Sequence, residues 1–283
     1  MSVRSQEPNS LWNHFADLNA VPRPSKKEER IIEFMMNFGR ELNLETIKDK
    51  IGNVIIKKPA SPGMEDRKKV ILQSHLDMVH QKNGDTVFDF DNEGIKMRVQ
   101  GDWIDAEGTT LGADNGIGVA TIMATLSSNE IQHPALEAFF TIDEETGMTG
   151  AKEMDGSLFS GDILLNLDTE DDDELSIGCA GGIDTNTSYT CESIKAPKEY
   201  SFLQIDIKGL LGGHSGMDID SGRGNANKWM ARILWNISRK SNLLIGTFDG
   251  GGLRNAIPRE AKSIIAVPTA ELKNVQAEIE QQS

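Results

Sequence analysis

Four short turns of this chain place carboxylates or an imidazole beside an apolar run. His75 and Asp77 directly follow VILQS, and Asp114 lies at the entry to the run GIGVATIMATLSS. The Asp-Glu-Glu sequence at 143–145 follows LEAFFTI, and Asp168 follows DILLNL. Imidazole and carboxylate groups are ligands that Zn²⁺, Mn²⁺ and Co²⁺ accept in proteins. If the four turns meet in the fold, the sequence predicts a site for divalent metal ions.

The spacing within these turns is suited to hydrolysis. One carboxylate can bridge two metal ions ~3.5–4 Å apart, the spacing that binuclear hydrolases use. The acid two residues after His75 can hold the second nitrogen of the imidazole. In the doublet Glu144–Glu145, neighbouring side chains point in different directions, so one can bind metal while the other accepts a proton from water. Each signature alone is common on solvated surfaces, but four of them at successive strand ends favour a hydrolytic centre.

The elements that must position these turns alternate between strands and helices. Apolar runs predict strands at 54–57, 70–74, 136–142 and 162–167. A helix apolar on most sides is predicted from about 115 to 128, and Ser25 with Glu28 has the spacing of a capping box that opens an amphipathic helix. This alternation predicts an α/β sheet covered by helices on both faces, whose parallel strands end at one edge.

The pattern changes near residue 183, where period-two alternation begins. Three strands and two helices are predicted there, at 183–192, 200–209, 222–240, 262–268 and 269–283. This order is typical of a small α+β domain. We therefore predict an α/β domain over 1–183 and an α+β domain over 184–283.

Composition excludes several classes of protein. Among 283 residues there are 29 Lys and Arg against 44 Asp and Glu, giving a net charge of −15. Such an acidic surface repels phosphate, so neither a nucleic acid nor an anionic membrane is expected as a partner. The chain has no run of eighteen apolar residues, and its first residues lack the apolar core of a secretory signal. With only Cys179 and Cys191 available, no disulfide framework can form, and a reducing cytoplasm is the predicted location.

Five motifs together resemble a known family. S-H-L-D-M-V, G-A-D-N-G-I-G, D-E-E-T-G-M-T-G-A, N-L-D-T-E and G-G-H-S-G are similar to motifs of the binuclear zinc metallopeptidases that include aminoacylase and carboxypeptidase G. The resemblance is greatest to the bacterial aminoacyl-histidine dipeptidases, also called Xaa-His or carnosine-type dipeptidases, and it extends over essentially the whole chain. It implies a catalytic domain of zinc-peptidase type with a mixed sheet, interrupted by an inserted α+β lid domain. It also implies hydrolysis of Xaa-His and related unblocked dipeptides, and a homodimer formed through the lid.

The resemblance also implies a set of metal ligands. His75 and Asp168 would bind one divalent ion, Glu145 would bind a second, and Asp114 would bridge the two. The ions are expected to be zinc, with cobalt or manganese as alternatives. The family further has a cis peptide bond after the bridging aspartate, which corresponds here to Asp114–Asn115.

The remaining roles carried over by the resemblance concern catalysis and substrate binding. Asp77 would orient the imidazole, and Glu144 would be the general base that takes a proton from water and later gives it to the leaving amine. His214, in the lid, would help to stabilise the oxyanion of the tetrahedral intermediate. Arg254 and Asn255, in G-G-L-R-N-A-I-P, would contact the carboxylate of the substrate.

One departure from the family bears on activity. Relatives complete the catalytic domain after the lid with a segment that carries a last histidine ligand, but no histidine follows His214 here. Both domains are therefore expected to be incomplete, and the truncated chain is expected to have weak or no activity. Two alternatives remain open: a non-catalytic remnant that binds one metal ion or a partner, and an amide deacylase or tripeptidase of the same architecture.

Overall fold

The structure is a computed structural model, and it describes residues 2–169, 173, 175–178, 181, 183 and 185–282. By its internal contacts the chain divides into two units, Met1–Ser176 and Ile177–Ser283. The predicted boundary between 183 and 184 lies further along the chain, and residue 184 is outside the described residues, as is Cys179. Within the described residues, no helix combines the length and the apolar character needed to cross a bilayer.

The first unit consists of a mixed sheet, a separate hairpin and helices. Its helices are α1 (Asn9–Asn19), α2 (Glu29–Glu41), α3 (Ala113–Ser127) and α4 (Thr149–Lys152). Its strands are β1 (Glu45–Lys48), β2 (Val54–Lys58), β3 (Val70–His75), β4 (Met97–Gln100), β5 (Trp103–Ala106), β6 (Leu136–Thr141) and β7 (Ile163–Asn166). The order in the five-stranded sheet is β1-β2-β6-β3-β7, and β4 pairs only with β5.

The strand directions explain how the polar turns come together. β3 lies between β6 and β7 and runs parallel to both, whereas β1, β2 and β6 are linked by antiparallel pairing. The three parallel strands therefore end at the same edge of the sheet. All six residues of β6 are buried, as expected for a central strand with a continuous apolar run.

The main core lies on one face of this sheet. Leu18 of α1, Ile31 and Met35 of α2, and the apolar residues of α3 pack against strand side chains that include Phe140. The opposite face carries a smaller cluster, formed by Ile55, Ile71 and Phe139 with Leu158 and Phe159 beside it. Helices α1 to α3 therefore cover one face of the sheet whose edge carries the polar turns.

The second unit is a three-stranded antiparallel sheet with two helices. Its elements are β8 (Tyr200–Ile207), α5 (Ala226–Ser238), β9 (Leu244–Gly250), β10 (Ala261–Pro268) and α6 (Leu272–Gln281). β10 lies in the middle, between β8 and β9. Apolar residues of both helices, such as Met230, Ile233 and Val275, pack against the sheet.

Some predicted elements need correction. The prediction of a strand at 183–192 was wrong for the residues described there, which form no strand. α5 begins at residue 226 rather than 222, because the side chain of Asn225 accepts the N–H of Lys228 and caps the helix. The last helix begins only at Leu272, after a 3₁₀ turn that follows Pro268.

Candidate metal centre

The polar turns of the first unit meet at the edge where β3, β6 and β7 end. His75 is the last residue of β3, the Glu144–Glu145 doublet follows β6, and Asp168 follows β7. Asp114 joins them from the first turn of α3. Ligand atoms of His75, Asp114 and Glu145 lie within 4.8 Å of one another, and so do those of His75, Glu144 and Asp168.

The imidazole of His75 lies at the centre of this group and is completely buried. Its Nε2 lies 3.0 Å from Oδ1 of Asp114 and 3.8 Å from Oδ1 of Asp168. Its Nδ1 lies 3.3 Å from Oδ1 of Asp77 and 3.1 Å from the carbonyl oxygen of the same residue. Both ring nitrogens therefore face oxygen atoms.

The electrostatics of the group favour a cation. Burial alone would lower the pKa of His75, but hydrogen bonds to Asp114 and Asp77 and the charge of Asp168 raise it to about 11. Burial and the charge of Asp114 raise the pKa of Glu145 to about 8, and burial also raises the pKa values of Glu144 and Asp168. Crowded carboxylates of this kind repel one another unless positive charge is placed among them.

Asp77 connects two of the turns. Its Oδ1 accepts the N–H of Glu144 at 3.0 Å, and its Oδ2 accepts the N–H of Glu145 at 3.3 Å and the hydroxyl of Ser25 at 2.8 Å. Burial would raise the pKa of Asp77, yet its bonds with His75, Glu144 and Ser25 hold that pKa below its usual value. One carboxylate thus fixes both the imidazole and the backbone of the acidic doublet.

The start of α3 brings Asp114 and Asp168 together. Gly112 precedes the helix with a φ of 71°, a left-handed conformation that glycine adopts readily. The Asp114–Asn115 peptide bond is cis, as the family resemblance implied. The side-chain amide of Asn115 donates to Oδ1 of Asp168 at 2.5 Å, and the hydroxyl of Ser74 donates to Asn115. Asn115 therefore orients one of the candidate ligands.

Ser25 and Glu28 do not form the predicted capping box. α2 begins at Glu29 and has no side-chain cap. Ser25 donates instead to Asp77, and Oε1 of Glu28 accepts the N–H groups of Lys26 and Asp143. The prediction was wrong because both side chains find partners at the metal centre that are far away in sequence.

Sequence reasoning also missed Arg23, which is almost fully buried beneath the centre. Its guanidinium donates to the carbonyl oxygens of Leu76, Asp77 and Gly112 at 3.1, 3.2 and 2.6 Å. Burial lowers its pKa to about 10. Arg23 thus links the turn after His75 to the start of α3. The only sequence signal for this role is its position in Arg-Pro-Ser, just before an amphipathic helix.

The candidate lid residues lie in the second unit, where two loops meet. His214 and Ala256 form an isolated β-bridge, and the N–H of Ser215 donates to the carbonyl oxygen of Asn255 at 2.8 Å. Nδ1 of the exposed His214 accepts the N–H groups of Gly216 and Met217, both at 3.1 Å. A neutral His214 ring therefore carries its proton on Nε2. The structure brings His214 together with the segment containing Arg254 and Asn255.

The other histidines lie in packing or loop positions. Nε2 of His14 lies 3.1 Å from the hydroxyl of Ser127, and the ring of His80 packs edge-on against Phe90. Nδ1 of His133 lies 2.7 Å from the carbonyl oxygen of Pro134.

Comparison with known proteins gives one family match, to the peptidase dimerisation domain, over residues 205–283. The chain is also 45% identical over 268 residues to the cytosol non-specific dipeptidase of Escherichia coli (strain K12). This alignment covers 94% of the chain but 55% of that relative, so the chain spans about half of its length.

Solved structures agree with this match. The aminoacylhistidine dipeptidase of Vibrio alginolyticus is 43% identical with a TM-score of 0.64, covering 100% of this chain and 58% of that one. A tripeptidase of Staphylococcus aureus is 19% identical with a TM-score of 0.50, covering 96% of this chain and 69% of that one, and shows the likeness of fold alone.

Proposed function

We propose that the chain belongs to the M20 peptidase family and supplies the metal centre of a dipeptidase. The substrates would be Xaa-His and related unblocked dipeptides. The observation that carries the proposal is the meeting of His75 with Asp114, Glu144, Glu145 and Asp168 at one edge of the sheet. The relatives named as dipeptidases in E. coli and V. alginolyticus support the substrate class.

We assign two divalent ions to this edge. Asp114 would bridge them, with His75 and Asp168 on one ion and Glu145 on the other. The residues fit such a pair, because a buried imidazole is crowded by carboxylates whose pKa values are raised. When bound, the two ions would polarise the peptide carbonyl and make a water molecule more acidic. An imidazole with several carboxylates suits zinc, with cobalt or manganese as alternatives.

Glu144 is assigned the transfer of the proton. Its carboxylate lies among the candidate ligands, and its backbone N–H is fixed by Asp77. Burial raises its pKa, which brings the group closer to the neutral range in which a carboxylate both accepts and returns a proton. Glu144 would take the proton from the attacking water and deliver it to the leaving amine.

The second unit is assigned the binding of the substrate. The proton on Nε2 of a neutral His214 makes this ring a donor for an oxyanion. Arg254 and Asn255, which lie on the neighbouring loop, would bind the substrate carboxylate. The match to a peptidase dimerisation domain supports a homodimer through this unit, and the name of the E. coli relative supports a cytosolic location.

The test is peptide hydrolysis by protein expressed from the whole reading frame that contains this chain. We expect Zn²⁺-loaded protein to cleave Xaa-His dipeptides faster than tripeptides or N-acyl amino acids. Glu144→Gln should lower kcat by about 10²- to 10⁴-fold while the bound zinc, measured by mass spectrometry, stays the same.

Glu41→Gln is the matched control, because Glu41 is an exposed glutamate at the end of α2. It should keep the wild-type rate. Full activity of Glu144→Gln would overturn the assignment of the base. Preferred cleavage of N-acyl amino acids or tripeptides would favour the deacylase or tripeptidase alternative. Bound zinc without any hydrolysis would favour a non-catalytic protein.

A further inference from the structure

Beyond the candidate ligands, two turns near the metal centre have backbone conformations that their residues seldom adopt. Lys26 has a φ of 73° and Asp143 a φ of 52°. Residues other than glycine populate this left-handed region sparsely, and a residue stays there only when its surroundings hold it. Asp143 directly precedes the Glu144–Glu145 doublet, so whatever holds Asp143 also determines where the doublet begins.

A single oxygen atom holds both turns. Oε1 of the buried Glu28 accepts the N–H of Lys26 at 2.9 Å and the N–H of Asp143 at 3.2 Å. The start of α2 and the end of β6 are therefore joined through one carboxylate.

The side chains of Lys26 and Asp143 add a second link between the same turns. Nζ of Lys26 lies 2.5 Å from Oδ2 of Asp143, whose side chain is 4% exposed, whereas that of Lys26 is 61% exposed. The hydroxyls of Thr146 and Thr149 also donate to Asp143. A Cβ added at Gly147 would come 2.8 Å from Oδ2 of Asp143, so the chain after the doublet closes tightly around this carboxylate.

The doublet is thus anchored on two sides. Asp77 accepts its two backbone N–H groups, and Asp143, which directly precedes the doublet, accepts the hydroxyls of Thr146 and Thr149, which follow it. We infer that Lys26 and Asp143 are positioning residues that fix the Glu144–Glu145 turn at the metal centre. The inference rests on the proposed function only for its consequence in metal binding and catalysis.

The alternative explanation for the carboxylates clustered in this region is a further cation site. The carboxylates of Glu28, Asp77 and Asp143 have oxygen atoms within 4.8 Å of one another. However, each of them accepts hydrogen bonds from N–H or O–H groups, and the ammonium of Lys26 supplies positive charge to Asp143. These hydrogen bonds and the ion pair between Lys26 and Asp143 link the two turns without a metal ion.

The neighbouring lysine provides a matched control. Nζ of Lys27 lies 2.5 Å from Asp91, and the two side chains are 60% and 48% exposed. Lys27 is therefore next in sequence to Lys26, equally exposed and paired at the same distance, but its partner is an exposed carboxylate away from the doublet.

The test is hydrogen–deuterium exchange of the metal-free chain of 283 residues. Lys26→Met should speed exchange at the amides of Glu144 and Glu145 by about three- to tenfold and leave the amides of β6 unchanged. Lys27→Met should change neither, and Lys26→Arg should restore slow exchange. Equal exchange in Lys26→Met and Lys27→Met, or faster exchange throughout the first unit, would overturn the inference.

Titration with Co²⁺, followed by its absorption spectrum, gives the second readout. Lys26→Met should weaken Co²⁺ binding by about three- to tenfold relative to Lys27→Met. Equal affinities would contradict the positioning role at the metal centre. If the wild-type chain bound no Co²⁺, the proposed function would fail, and exchange at Glu144 and Glu145 would still decide whether Lys26 positions the turn.

Discussion

The turn that follows His75 at the end of β3 and the loop that contains His214 are held in different ways. His75 is buried, and its ring nitrogens face Asp77 and Asp114, from different parts of the first unit. His214 is exposed, and its Nδ1 accepts N–H groups only two and three residues further along its own loop. The first geometry depends on the folding of the whole sheet edge, whereas much of the second is local. This difference fits a rigid centre for metal ions and a separate group for the substrate.

One arginine supports each of these segments, so replacing each arginine in turn measures how strongly its segment is held. Arg23 is buried and donates to the carbonyl oxygens of Leu76 and Gly112. The side chain of Arg223 is one-third exposed; it pairs with Asp218 at 2.7 Å and donates to the carbonyl oxygen of Gly212.

Arg23→Met should destabilise the first unit by about 3 kcal/mol, because it leaves buried carbonyl oxygens without donors. Arg223→Met should cost about 1 kcal/mol or less, since water can replace the lost bonds. Urea unfolding of both variants checks this order. An equal decrease in the free energy of unfolding of the two variants would contradict the expected effect of burial.

A more gradual effect is expected from pH. In the folded metal-free chain the pKa of His75 is raised to about 11 from an ordinary value of 6.5, so its stabilising charge is fully present below 6.5 and is lost as the pH rises toward 11. The pKa of Glu145 is raised to about 8 from 4.5, so ionising this buried acid costs stability as the pH rises from 4.5 to about 8. Both groups make the metal-free chain less stable from pH 6.5 to 8.

Urea midpoints measured at pH 6.5, 7 and 8 test this slope. His75→Gln should show a weaker dependence on pH than the wild type, and saturation with Zn²⁺ should reduce the dependence as well. A midpoint that rises with pH in the metal-free wild type would contradict the electrostatic account of the centre.

The sequence predicts the strands of the first unit well where they are continuous and apolar. VILQSH and LEAFFT form β3 and β6 within a residue or so of the predicted limits, and the apolar helix forms α3. These elements are buried because their own residues are apolar, and parallel strands of one sheet end at the same edge. The meeting of the four polar turns follows from that topology.

The sequence did not predict elements whose character depends on their neighbours. β1 is only four residues long and mostly exposed or half-buried, and β9 contains two glycines and is exposed along most of its length. Their pairing comes from β2 and β10 rather than from an internal pattern. Ser25 and Glu28 were misassigned for the same reason, because a local capping motif cannot reveal partners such as Asp77 and Asp143.

The central claim is that the strand ends of the first unit and the start of α3 supply ligands for two divalent ions. Its most direct test is the number of Zn²⁺ ions retained per chain after equilibrium dialysis, for the wild type, Asp114→Asn and His214→Ala. We predict two ions for the wild type and for His214→Ala, and affinity at least about 100-fold weaker for Asp114→Asn, because it removes the charge of the proposed bridging ligand. Equal zinc content in the wild type and Asp114→Asn, or loss of zinc in His214→Ala, would contradict the claim.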